Sequence, residues 1–338
     1  MLDAFSLISD PTGQTFDNLD FDLDSEVTVA LAEFCRITPS IVADLTLARQ
    51  FPGMPSAMFL SYPNSLYVPG CRLTCRARFS FCTECLREQE ISGRVAGIPG
   101  FWSLALLTHC HKHLCPLRTQ CPVCAAEDPL LVVADPETDR LHCRACGGAI
   151  TSGALPSTAA PSGHLVIEIE RMYIRSLGGI DPDPEVCGEI SSRQFTTLIE
   201  SLALLFSSRL PNETHIFAAL MLDAETANCY FRGRGKAEAT LTYFSWKWRF
   251  LVMLGIVKVI FGPANSSPKP ASTAERTRLF FDLLKAIPAK DRSFVLRASE
   301  PWPELLQEPL WAAVKLLEGS AWNSAKSLRF RCQGDSLN

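Results

Sequence analysis

With 338 residues, a net charge of −4 and 47% hydrophobic against 20% charged side chains, the chain carries enough apolar surface for two or three packed domains and is excluded from the disordered class. Its 14 cysteines are too thinly spread for a small secreted disulfide scaffold. No basic stretch followed by an apolar one opens the sequence, so the expectation is a cytoplasmic protein with reduced thiols.

The first 35 residues hold eight acids (Asp3, Asp10, Asp17, Asp20, Asp22, Asp24, Glu26 and Glu33) and no Lys or Arg. Residues 1–24 are predicted to be loosely ordered. Two short helices are predicted next, one over about 25–36 and one with Thr38 as N-cap and Pro39 at its first position. Leu31, Phe34, Ile37, Ile41 and Leu45 keep a helical spacing across both. Two helices joined by a short turn resemble half of a helix-turn-helix, although the turn lacks its usual glycine and any helical hairpin gives the same pattern.

The densest pattern follows. Cys82/Cys85, Cys110/His113, Cys121/Cys124 and Cys143/Cys146 are four pairs, each with two residues between its members. That spacing sets two soft donors on one tight knuckle, and two knuckles build a tetrahedral zinc site. Pairing neighbours gives a three-cysteine, one-histidine site across 24 intervening residues and an all-cysteine site across 18. Both would be full, the signature of structural rather than catalytic metal, so two structural Zn2+ ions are predicted. Iron–sulfur ligation of the all-cysteine set is the alternative, but the histidine-containing pair and the double-knuckle spacing favour zinc. His109, His111, Cys115 and His142 crowd the knuckles and are assigned to the surroundings of the sites or to the surface. Cys71 and Cys75 are either a third half-site without a partner or ordinary thiols.

Residues 151–165 are rich in Pro, Gly, Ser and Ala and read as a linker. Beyond them the chain reads as helical. Phe195, Leu198, Ile199, Leu202, Leu205 and Phe206 make one apolar face, and 212–222, 237–261, 279–284 and 305–317 are further helical candidates. The apolar stretch 250–260 is too short to span a membrane and reads as a buried helix. Charge is uneven: from residue 231 onward 17 Lys and Arg face nine Asp and Glu, and 71–118 carries seven against three. Such basic regions suit a polyanion, which the acidic N-terminus does not. The expected fold is mainly α with a small tandem zinc-finger module: 1–70 as an acidic segment with a helical hairpin, 71–150 as the zinc module, 151–165 as linker and 166–338 as a C-terminal helical domain.

Enzyme chemistry finds little footing. A zinc deaminase needs His-x-Glu with Pro-Cys-x-x-Cys, whereas this chain has Cys-Pro-x-Cys at Cys121 and no His-x-Glu. No Walker-type glycine loop occurs either.

The run Phe81-Cys82-Thr83-Glu84-Cys85-Leu86-Arg87-Glu88, an aromatic segment with Trp102, then Thr108-His109-Cys110-His111-Lys112-His113, Cys121-Pro122-Val123-Cys124 and Cys143-Arg144-Ala145-Cys146-Gly147 resembles the TniQ family of bacterial transposon target-selection proteins, which includes TnsD. The resemblance covers about 62–150. Thr83 and His111 stand where the family pattern has proline, Leu114 where it has glycine and Gln89 where it has Asp; none of these removes a ligand. The resemblance implies a non-enzymatic bacterial adaptor that recognises target DNA, or docks as a dimer on an RNA-guided CRISPR complex, and recruits an AAA+ ATPase regulator and transposase. The candidate DNA contacts are then Arg76, Arg78 and Arg87, with Arg232, Arg234, Lys236, Lys247 and Arg249 from the basic aromatic stretch; the aromatics there, including Trp246 and Phe250, read better as core than as base-stacking groups. A stand-alone zinc-containing DNA-binding transcriptional regulator is the alternative.

Overall fold

The computed structural model describes residues 25–54, 58–63, 75–77, 79–94, 97–126, 132–135, 140–143, 145–152, 161–207, 246–262, 270–287, 289 and 292–334. These residues are mainly helical, with two small hairpins. The chain divides into two compact units, one of Met1–Ala159 with Leu241–Arg249 and one of Ala160–Thr240 with Phe250–Asn338.

The first unit begins with α1 (Ser25–Cys35), α2 (Pro39–Asp44) and α3 (Leu47–Gln50). Thr38 is extended at φ −76° and ψ 147° and Pro39 opens α2, as a proline-started helix requires. The five-residue apolar stripe does not form one buried face: Leu31 is buried, but Phe34, Ile37, Ile41 and Leu45 are exposed, Phe34 at 59% and Leu45 at 66%. The cause is local. Arg36 takes a left-handed φ of 55°, which ends α1 and breaks the helical phase before α2. Val27, Thr28, Leu31, Ala32, Val42 and Leu47 are buried in its place.

The antiparallel strands β1 (Ser61–Pro63) and β2 (Cys75–Ala77) pair Tyr62 with Arg76. Helix α4 (Thr83–Ile91) follows, and β3 (Val132–Asp135) pairs antiparallel with β4 (Arg140–Cys143). Around Trp102 a 3-10 turn at Gly100–Ser103 is stitched by main-chain bonds: Leu60 N–H donates to Ser103 O (2.7 Å), Ala105 N–H to Met58 O (2.7 Å) and Ser80 N–H to Trp102 O (2.9 Å). Met58, Phe59, Leu60, Phe81, Leu86, Trp102, Leu104, Ala105, Leu106, Leu107 and Leu117 are the buried core that carries the cysteine knuckles.

The regular elements in the described part of the second unit are all helices: α5 (Pro161–Leu177), α6 (Pro184–Cys187), α7 (Ser192–Ser207), most of α8 (Trp246–Phe261), α9 (Thr273–Ala286), α10 (Arg292–Ala298) and α11 (Glu304–Gly334). Its caps follow the sequence. Asp183 accepts from Glu185 N–H ahead of Pro184, and Ser272 with Glu275 forms a full capping box. The expected face of α7 is buried at all six positions, and α8 buries Val252, Met253, Ile256, Val257, Val259 and Ile260. Tyr173 of α5 donates to Glu200 of α7 at 3.1 Å, and Trp302 Nε1 donates to Ser201 Oγ at 2.6 Å. Among the described residues no helix is long and apolar enough to cross a membrane.

Candidate metal centres

Three of the four donor pairs share one backbone turn. The amide of the first cysteine donates to the carbonyl five residues on: Cys110 to Cys115 at 2.8 Å, Cys121 to Ala126 at 3.0 Å, Cys143 to Gly148 at 2.9 Å. The amide four residues on donates back to the cysteine carbonyl, from Leu114, Ala125 and Gly147 in turn, at 2.7 to 2.9 Å. All three of those residues sit in the left-handed region, at φ 52°, 56° and 67°. The turn also aims an amide at sulfur: His113 N–H to Cys110, Val123 N–H to Cys121 and Gly148 N–H to Cys146, each at 3.4 Å. Such N–H groups soften thiolate charge. The remaining pair is built differently, with Cys82 as N-cap residue of α4 and Cys85 in its first turn. There the positive end of the helix faces the sulfurs.

These turns bring the eight predicted donors into two clusters, Cys82, Cys85, Cys110 and His113 in one and Cys121, Cys124, Cys143 and Cys146 in the other, each with its donor atoms within 4.8 Å of one another. Each cluster could hold a metal ion. In the first, His113 Nδ1 lies 3.4 Å from Cys82 Sγ, 3.3 Å from Cys85 Sγ and 3.6 Å from Cys110 Sγ, and Cys85 and Cys110 are 3.6 Å apart. In the second, Cys121–Cys146 and Cys124–Cys143 are both 3.8 Å apart, with Cys124 and Cys146 exposed. A tetrahedral ion about 2.3 Å from sulfur and about 2.0–2.1 Å from nitrogen needs donor separations of about 3.8 and 3.6 Å.

Crowding of thiols sets the charge at the first cluster. Hydrogen bonds from Cys110, Cys115 and Cys85 hold the Cys82 thiol far below its ordinary range, while Cys85 is driven far above it by its bonds to Cys110 and Cys82. The thiols thus oppose one another's ionisation, and ionising all three calls for a cation in the centre.

Glu88 completes the setting. Its carboxylate accepts from His113 Nε2 at 3.2 Å and pairs with Lys112, whose ammonium, and secondarily the imidazole, hold it below the ordinary carboxylate value. That bond leaves Nδ1 to face the sulfurs, the carboxylate–histidine pairing that metal sites use. Sequence reasoning gave Glu88 no role, although Cys85 and Glu88 are three apart on α4 and share a face. Cys115, left out as surroundings, is buried with its Sγ 3.7 Å from Cys82 Sγ. Its signal was its place in the knuckle: it stands five residues after Cys110, where the returning strand passes the cluster, as Ala126 and Gly148 do in the other turns. His109, His111 and His142 lie outside both donor sets. His109 packs edge-on against Trp246, and His142 Nδ1 donates to Gly147 O at 2.9 Å.

The basic candidates fare unevenly. Arg249 is corrected: it is 0% exposed, donating to Ala105 O at 3.2 Å and Leu107 O at 2.8 Å, so no phosphate reaches it. Nearby, Trp246 Nε1 donates to Thr108 O at 2.6 Å. The two side chains serve the main chain that leads into the Cys110 knuckle. Arg87 bonds Glu84 at 2.6 Å and Thr151 O at 2.8 Å, and Glu90 takes Thr151 Oγ1 at 2.8 Å and pairs with Arg140, fastening α4 to the turn that follows the second cluster. The side chains of Arg76, Arg78, Arg232, Arg234, Lys236, Lys247, Cys71 and Cys75 lie outside the described residues. In comparison with known proteins, the chain matches no family model and no curated sequence.

Proposed function

We propose that both clusters hold structural zinc and that the chain is a non-enzymatic target-selection adaptor of the TniQ type, which engages target DNA or a DNA-targeting complex and recruits an AAA+ ATPase regulator with its transposase. The observation that carries this reading is the tandem of two closed four-donor clusters, the first of three cysteines and a histidine and the second all cysteine, on the motif order that resembles that family. The separations of His113 Nδ1 from the sulfurs, of Cys85 from Cys110, and of Cys121–Cys146 and Cys124–Cys143, 3.3–3.8 Å, suit a tetrahedral ion of zinc's bond lengths, and all donors of each cluster lie within 4.8 Å of one another. Four protein donors leave no coordination position for a reactive water, which argues for a scaffold rather than a catalyst. The knuckles then fix a rigid protein surface, and recognition falls to groups presented from it.

An affinity pull-down of the tagged chain from its native cells, read by mass spectrometry, tests the adaptor role. Recovery of an AAA+ ATPase, with or without CRISPR effector subunits, is expected. Recovery of DNA and RNA polymerase alone would replace the adaptor with a DNA-binding regulator.

A further inference from the structure

Four sulfurs, not three, meet at the first cluster. Cys115 stands outside the donor set, 3% exposed, with its Sγ 3.7 Å from Cys82, while Cys85 and Cys110 are 3.6 Å apart. Cys82 also lies against Cys110 and Cys85, but pairing Cys82 with Cys115 and Cys85 with Cys110 leaves no sulfur over. A disulfide needs a separation of about 2.05 Å, so each pair closes through a side-chain movement of less than about 2 Å. The second cluster offers a pairing of the same kind, Cys121–Cys146 and Cys124–Cys143, each at 3.8 Å. A three-cysteine site would leave one sulfur over; Cys115 removes that remainder.

We propose that Cys115 is the resolving thiol of a reversible, peroxide-sensitive modification site built on the first cluster, in which oxidation yields the Cys85–Cys110 and Cys82–Cys115 disulfides and frees the metal. Cys85 is the cysteine ligand there that solvent reaches, since Cys82, Cys110 and Cys115 are buried. Its sulfur attacks one peroxide oxygen, the O–O bond breaks and hydroxide leaves, giving a sulfenic acid. The Cys110 thiolate displaces a second hydroxide from that sulfur and the first disulfide forms. Loss of two donors opens the site, and Cys82 reacts with a second peroxide in the same way. Cys115 then attacks the Cys82 sulfur, and its proton leaves with the departing oxygen as water. Two peroxides take four electrons from three thiolates and one thiol, giving two disulfides, three hydroxides and one water. Without Cys115, the Cys82 sulfenic acid has no thiol beside it and proceeds to the sulfinic acid, which thiols do not reduce.

The test uses the full-length, zinc-loaded protein and hydrogen peroxide, with zinc release followed by a chelating dye and linkages mapped by non-reducing peptide mass spectrometry. The wild type is expected to show a Cys82–Cys115 cross-link and to regain both ions after reduction and zinc addition. Cys115→Ala, and Cys115→Ser as the variant that keeps the volume, are expected to bind two ions at first. After peroxide they should gain two oxygens on Cys82 and recover about half of the zinc. Free Cys115 in the oxidised wild type, or full recovery of zinc by Cys115→Ser, overturns the proposal. So does either variant's failure to bind two ions before peroxide, because Cys115 would then act on the metal itself. The proposal rests on the zinc reading and not on the adaptor reading; the zinc content of the untreated protein tests that reading separately.

Discussion

At His113 the two ring nitrogens face opposite partners, sulfur on one side and the Glu88 carboxylate on the other, and this division gives the first residue-level prediction. Removing the carboxylate frees the ring to turn. Glu88→Ala should weaken metal affinity at the first cluster by about 10–100-fold and leave the second cluster unchanged, as read by competition with a chelating dye. Arg249 gives the second. Arg249→Ala withdraws donors from the Ala105 and Leu107 carbonyls in a dry interior, at about 1–3 kcal/mol for each orphaned group. A urea titration should show a loss of that order; an unchanged midpoint would return Arg249 to the surface candidates. The sequence made all eight donors legible because two-residue spacing is a local rule. Glu88 was legible only through helix periodicity, and the fate of Arg249 was not legible, because 142 residues separate it from the Leu107 carbonyl that it serves.

On the level of elements, the knuckle is the repeating unit, and its fifth residue carries the strain. Gly147 takes the left-handed position without cost, whereas Ala125 holds it at φ 56° with a side chain. A left-handed L-residue costs about 1–2 kcal/mol, partly offset by the greater freedom of an unfolded glycine. Ala125→Gly should therefore stabilise the second cluster, and Gly147→Ala should destabilise it, each by about 1 kcal/mol or less. The midpoint of chelator-induced unfolding should move in opposite directions for the two variants, and shifts of the same sign would rule out strain at this position. The same left-handed geometry explains an error of sequence reading. Spacing carried the apolar stripe from Leu31 to Leu45 as though one helix ran through, but the turn at Arg36 resets the phase and leaves Phe34 and Leu45 in solvent. The α7 face, with no such break, was read correctly at every position.

For the molecule as a whole, the second unit carries a pH response of its own. Glu200 is half-buried beside Tyr173, and desolvation, opposed by the tyrosine hydrogen bond, lifts its carboxyl from 4.5 to about 7. A carboxyl raised on folding favours the native state fully below pH 4.5; this advantage falls as pH rises and is gone above about 7. Glu200→Gln keeps a neutral acceptor for Tyr173, so wild type and variant should have similar Tm near pH 4, with the variant higher at pH 8. A Tm difference independent of pH would show that Glu200 does not titrate on unfolding. The two units divide near Ala159, inside the stretch 151–165, but from Pro161 onward that stretch belongs to α5. The placing of Trp246 and Arg249 with the first unit could not be read from the sequence, because nothing local in the first turn of α8 reveals which distant carbonyls it will bond. Closure of both clusters underlies the scaffold reading, and X-ray absorption at the zinc edge with metal analysis of the purified full chain tests it most directly. Two zinc ions per chain with only sulfur and nitrogen neighbours, at about 2.3 and 2.0–2.1 Å, is the predicted result. A single ion, another metal, or an oxygen neighbour from water would contradict it.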